Sequence, residues 1–113
     1  METRINDYER GTLVPLICEM LLKCGSTPLP SKVICDGIRK HGHIATTRSV
    51  RRVINHIRRE GLIPCVASSR NGFFVASNVN EISECIGTLE SLNEAIQEVI
   101  YALREQRYIK FNQ

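Results

Sequence analysis

Five arginines stand within the stretch Thr46–Glu60: Arg48, Arg51, Arg52, Arg58 and Arg59. From Arg39 to Glu60 there are seven basic residues and one acidic one, a local charge of +6. Arginine presents a planar fork that fits the O6 and N7 acceptors of guanine, and asparagine pairs with N6 and N7 of adenine. Asn55 lies among these arginines, so the side chains suit the reading of base edges. Basic clusters also attract a phosphate backbone.

The spacing sorts these residues by direction. Counting 100° per residue from Val50, Ile54 falls at about 40°, Ile57 at about 340° and Val53 at about 300°. These four make one apolar face. Asn55, Arg48, Arg59 and Arg52 fall between about 140° and 200°, and Arg51 flanks them near 100°. One helix is therefore expected to bury an apolar face and to present an opposite stripe of arginine and asparagine. Thr46, Thr47 and Ser49 sit at its start, where hydroxyls and free N–H groups hold phosphate. His56 and Arg58 fall nearer the flanks, as phosphate contacts or solvated groups. Arg70 lies at the tip of an expected hairpin, placed for the backbone or an adjacent minor groove.

Other chemistry finds little material. There is no glycine-rich phosphate loop, no paired acid–base set and no ordered Ser-His-Asp or Cys-His arrangement, so no enzyme is expected. Cysteines 18, 24, 35, 65 and 85 form no CxxC pair. They read as small apolar residues in a reducing compartment. Cys24, Cys35, His41 and His43 match no zinc-ligand spacing, and neither metal nor cofactor is expected. No apolar run approaches the roughly 20 residues of a membrane span. The start METRINDYERG is polar, without an apolar signal region, so a cytoplasmic location is expected.

The elements that must hold the stripe follow from the rest of the chain. With 113 residues and 42% hydrophobic content, one globular domain plus a long extra element is expected. Residues 1–10 read as a loose polar arm. Thr12 caps a first helix, Pro15 lies in its first turn, and Leu13, Leu16, Ile17, Met20, Leu21 and Cys24 follow at helical spacing up to Gly25. After the loop Ser26–Pro30, Ser31 caps a short second helix ending near Lys40, with Val33, Ile34 and Ile38 inward. Thr46 or Thr47 caps the arginine-bearing helix, and Gly61 stops it. Residues Leu62–Ala67 read as a strand, Ser68–Gly72 as a turn with the Asn-Gly hairpin signal, and Phe73–Ala76 as the returning strand. Three helices and a hairpin in this order give a mainly α fold with a small β-hairpin, a winged helix-turn-helix, over residues 11–79.

A long C-terminal helix follows over 80–107, capped by Asn80, with 108–113 as a tail. Ile82, Cys85, Leu89, Leu92, Ile96, Val99 and Leu103 are spaced 3, 4, 3, 4, 3, 4, a heptad seam. Cys85 and Gly87 weaken its start, so Leu89, Leu92, Ile96, Val99 and Leu103 are expected to pair two copies into a homodimer. Folding back across its own domain is the other reading. Glu81–Glu98 holds five glutamates and no Lys or Arg. Those glutamates offer a plainer use for some of the arginines, Arg58 above all.

The run Thr47-Arg48-Ser49-Val50-Arg51-Arg52-Val53-Ile54-Asn55-His56-Ile57-Arg58-Arg59-Glu60-Gly61 carries a resemblance. It continues with Pro64-Cys65, Ser68-Ser69 and Gly72-Phe73-Phe74, and ends in an acidic helix with Ser91-Leu92. In these residues the chain resembles a family of small phage and prophage winged-helix proteins, over about half its length. Cys65 replaces a usual aliphatic residue and Phe73 a usual tyrosine. The resemblance implies an accessory protein that handles DNA in transcription regulation or replication. The expected partner is double-stranded DNA. A protein-interaction module, such as a phage-encoded inhibitor of a host enzyme or defence system, is the alternative.

Overall fold

A computed structural model describes residues 4–111. Residues 1–3 of the expected arm and 112–113 of the expected tail lie outside the described residues. The chain divides into two units between Ile82 and Ser83.

The first unit holds three helices and a hairpin. They are α1 (Val14–Cys24), α2 (Ser31–Lys40), α3 (Thr47–Glu60), β1 (Val66–Ser69) and β2 (Gly72–Val75). Its core is aliphatic. Leu13, Ile17, Leu21, Ile34, Ile38, Val50, Val53, Ile54 and Ile57 are fully buried, with Leu29, Ile63 and Val66 around them. Val33, expected inward, is exposed, and Cys35 takes the buried place.

The expected arm differs most. Asp7 and Tyr8 are already helical, and a π-helical segment, Glu9–Leu13, runs without a break into α1. The cap is Asn6, not Thr12. Asn6 Oδ1 accepts from the Glu9 amide at 2.8 Å, and Glu9 Oε1 accepts from the Asn6 amide at 2.9 Å, a reciprocal capping box. The inward residues Glu9, Leu13, Ile17 and Leu21 recur every four positions. In a 3.6-residue turn such a row drifts by about 40° per step, and the wider π turns take up that drift. The π segment also ends just before Pro15, which lacks an amide donor and crowds the carbonyl four residues back. Tyr8 braces the next connection: its hydroxyl donates to the Ile44 carbonyl at 2.7 Å and accepts from the Ile44 amide at 3.1 Å.

Helix α3 begins and ends where its sequence signals stand. Thr46 Oγ1 accepts from the Ser49 amide at 3.1 Å, and Ser49 Oγ accepts from the Thr46 amide at 2.9 Å. Gly61 closes the helix in the left-handed region at φ 65°. Thr46→Ala is expected to lower stability by about 1 kcal/mol in a urea titration, whereas Thr46→Ser keeps the acceptor and most of that stability.

The hairpin is shifted from its expected bounds. Residues 62–65 form turns, because Pro64 cannot donate to a strand ladder and Cys65 takes φ 61°. β1 and β2 pair antiparallel with Ser69 opposite Gly72, so Arg70 and Asn71 form the two-residue tip. Leu29 adds a further bridge: its amide donates to the Phe73 carbonyl at 2.7 Å and its carbonyl accepts from the Phe73 amide at 3.0 Å. Pro28 and Pro30 hold Leu29 extended for this role. Gly72 lies so close to this strand that a side chain there would collide with the Leu29 carbonyl and the Pro30 nitrogen.

Helix α4 runs from Val79 to Phe111, longer at both ends than expected. Its cap is Asn78, whose Oδ1 accepts from the Glu81 amide at 2.9 Å. Glu81 Oε1 accepts from the Ser77 amide at 2.7 Å and the Ser77 hydroxyl at 2.8 Å, and these bonds hold its carboxyl below the usual range. Along α4, Leu89, Leu92, Ile96, Val99 and Leu103 are all exposed, between 47% and 58%. No helix among the described residues is long and apolar enough to cross a membrane.

Candidate nucleic-acid interface

The apolar face expected for α3 is buried in full: Val50, Val53, Ile54 and Ile57 have no exposed area. Thr47, Arg48, Arg51, Asn55 and Arg59 are exposed on the remaining surface. Such a helix buries its apolar stripe and must leave its polar residues to solvent.

Arg52 departs from this stripe. Its Nη2 donates to Glu9 Oε2 at 2.7 Å, and its Nε donates to Oε2 at 3.1 Å and Oε1 at 3.3 Å. The Arg52 side chain is 25% exposed and that of Glu9 only 2%. The helical segment before α1 packs along one flank of α3 and carries Glu9 to Arg52. Helical angle places Arg52 beside Arg48 and Arg59, yet this segment covers its side of the helix. Burial alone would push the Glu9 carboxyl up. The hydrogen bonds from Arg52, the amide of Asn6 and the charge of Arg52 outweigh that and hold it below its ordinary value.

Arg58 is also structural. Its Nε donates to the Val66 carbonyl at 2.8 Å, its Nη1 donates to Asn55 Oδ1 at 3.3 Å, and its guanidinium lies 5.7 Å from the centre of the Phe73 ring. It fastens α3 to the hairpin, a role other than the phosphate contact or the pairing with the glutamates of the last helix expected from the sequence. The Asn55 carboxamide is held by the same contact, with its oxygen turned toward Arg58. His56 is half-buried. At the helix start, the hydroxyls of Thr46 and Ser49 are engaged in the capping box, and Thr47 is exposed beside them.

Arg51 and Arg70 come together across a cleft of about 180 Å³. Its lining includes Ser68 and Ser69 of β1, Gly72 and Phe73 of β2, and Pro30 and Ser31 at the start of α2. No side chain caps α2, so its first amides lack a side-chain acceptor, and its start lines the same cleft as Arg51 and Arg70. Helix starts of this kind carry partial positive charge and accept anions. Sequence reasoning selected Arg51 and Arg70. It placed the start of α2 at Ser31 but took Ser31 as a cap, whereas Ser31 is the first helical residue after Pro30 and no side chain caps the helix.

Each element thus contributes one part: α3 the stripe of Arg48, Arg51, Asn55 and Arg59, and the hairpin and α2 a basic cleft continuous with it through Arg51. The arrangement suits an anionic partner. Among the described residues no group of three or more His, Cys, Asp or Glu is placed to hold a metal ion. Comparison with known families, curated proteins and solved structures finds no match to the chain.

Proposed function

We propose that the chain is a winged helix-turn-helix protein that binds double-stranded DNA sequence-specifically. In this reading α3 enters the major groove, the β1–β2 hairpin is the wing, and Leu29 supplies the short third strand beside it. Arg48, Asn55 and Arg59 address base edges. Arg51, Arg70 and the start of α2 hold phosphate. Its role belongs with the phage and prophage proteins it resembles, in transcription regulation or as a replication accessory. Two copies join through the seam Leu89, Leu92, Ile96, Val99 and Leu103. A dimer would present two reading helices to a palindromic site.

The observation that supports this reading best is the continuity of the exposed α3 stripe with the Arg51–Arg70 cleft. A solvated helix face needs no second element, whereas phosphate binding gains from the added guanidinium and helix start. The test is the anisotropy of labelled duplexes, selected from a random pool, as salt is raised. If Arg51 and Arg70 neutralise phosphates, log K falls with log salt at a slope near −1.8, so affinity drops roughly tenfold between 50 and 200 mM. Affinity that is absent, or flat with salt, overturns the reading in favour of a protein partner.

A further inference from the structure

We infer that two copies of α4 pair antiparallel, each lying against the reverse of the other. This rests on the reading of α4 as a pairing helix and adds its direction.

The charge along the helix carries the inference. Ser83–Glu98 holds four glutamates and no Lys or Arg, a charge of −4. Val99–Phe111 holds Arg104, Arg107 and Lys110 against Glu105, a charge of +2. Two such helices side by side in the same direction stack acid on acid and base on base. Reversed, the basic end of each lies along the acidic beginning of the other. The helix is complementary to its own reverse and to no parallel copy of itself.

The seam positions agree. With Leu89, Ile96 and Leu103 in one set of core positions and Leu92 and Val99 in the other, Lys110 falls on the seam as well. In a parallel pair its ammonium would face its own copy. In an antiparallel pair it is carried toward Glu84 of the second copy. Between Thr88 and Ala102 the flanking positions, Thr88, Asn93, Ala95, Ile100 and Ala102, carry no charge, and Arg107 is the first charged one beyond them. The ion pairs at these positions that commonly direct parallel coiled coils are therefore missing. Reversal sets Leu92 level with Leu103 of the second copy and Ile96 level with Val99. The small Ala95 and Ala102 then meet across one flank, and Asn93 and Ile100 across the other, so the helices approach evenly along their length. The seam residues are all about half exposed, which leaves apolar surface for that partner to cover.

Site-directed cross-linking in the full chain separates the outcomes. The background carries Cys65→Ser, which removes the exposed cysteine among the described residues. L92C and L103C are made singly, mixed under reducing conditions, and oxidised. Bonds are mapped by mass spectrometry, and sedimentation of the unsubstituted chain gives its mass. The antiparallel pair predicts a dimer mass and a bond between positions 92 and 103 in the mixture, with little product from either variant alone. A dimer in which 92 joins 92 and 103 joins 103 overturns the direction and leaves the pairing reading intact. A monomer mass overturns the pairing reading itself. A dimer mass with no bond at either position places the interface elsewhere and overturns both.

Discussion

Arg52→Ala is expected to lower the stability of the chain by about 3 kcal/mol, and Glu9→Gln by a similar amount. In a domain of this size that corresponds to a fall in Tm of roughly 12–20 °C, read by circular dichroism. The reason is the asymmetry of a buried pair. Glu9 is almost wholly enclosed and Arg52 three-quarters so. Removing one member leaves the other charged and without its counter-ion in a site already stripped of water. Glu9→Gln also keeps the volume and the oxygen that accepts from Asn6, so its effect isolates the charge. The double variant Glu9→Met, Arg52→Met should recover much of the loss, since a buried ion pair is often matched by apolar residues of similar volume. Single variants within about 0.5 kcal/mol of the parent would show that the pair contributes nothing.

The same pair sets an acid limit. The Glu9 carboxyl is held below its ordinary value in the folded chain, so the unfolded chain takes up a proton at higher pH than the folded one. The contribution is fully present above the ordinary carboxylate value, about 4.3, and is lost as pH falls through the folded value. Urea midpoints measured from pH 6 downward should therefore drop more steeply for the parent than for Glu9→Gln. Parallel curves would remove Glu9 from the account.

What the sequence made legible was whatever depends on local order. In α3 the apolar positions, the Thr46 cap and Gly61 all act within one or two turns, so the helix could be placed with its buried face. The helical course of α4 was legible for the same reason, though Tyr108, Ile109 and Phe111 prolong the helix beyond its expected end. Arg52 was not legible, because a helical angle describes one axis and not what packs beside it. Its neighbour lay 43 residues away, in a segment read as an arm. That segment did carry a signal, the Asn6-x-x-Glu9 pattern of a capping box. Its inward row passes through the charged Glu9, so apolar periodicity did not carry the helix back past Leu13. The first strand slipped for a related reason: Leu62–Ala67 has strand composition, but Pro64 and the positive φ of Cys65 turn the chain before pairing begins.

The double variant Arg48→Ala, Arg51→Ala is expected to lower affinity for duplex DNA by at least about 30-fold at low salt while leaving Tm nearly unchanged. Arg48 and Arg51 are exposed, and surface substitutions away from buried features usually stay within about 0.5 kcal/mol. An arginine that addresses a base edge or a phosphate is worth about 1–3 kcal/mol in protein–DNA interfaces. The salt slope should become shallower by about 0.9, one phosphate charge's worth, with loss of sequence preference, since Arg51 holds phosphate and Arg48 a base edge. A change near 1.8 with sequence preference kept would instead assign both to the backbone. Arg52 and Arg58 are unsuitable for this experiment, although they belong to the same cluster in the sequence. Arg52 holds Glu9 and Arg58 holds the hairpin, so their removal would weaken binding by disturbing the fold. Arg70→Ala, across the cleft from Arg51, is expected to reduce the slope by about one unit by itself. If Arg48→Ala, Arg51→Ala binds DNA as tightly as the parent with Tm preserved, the α3 stripe does not face DNA, and its arginines are left to an acidic protein surface.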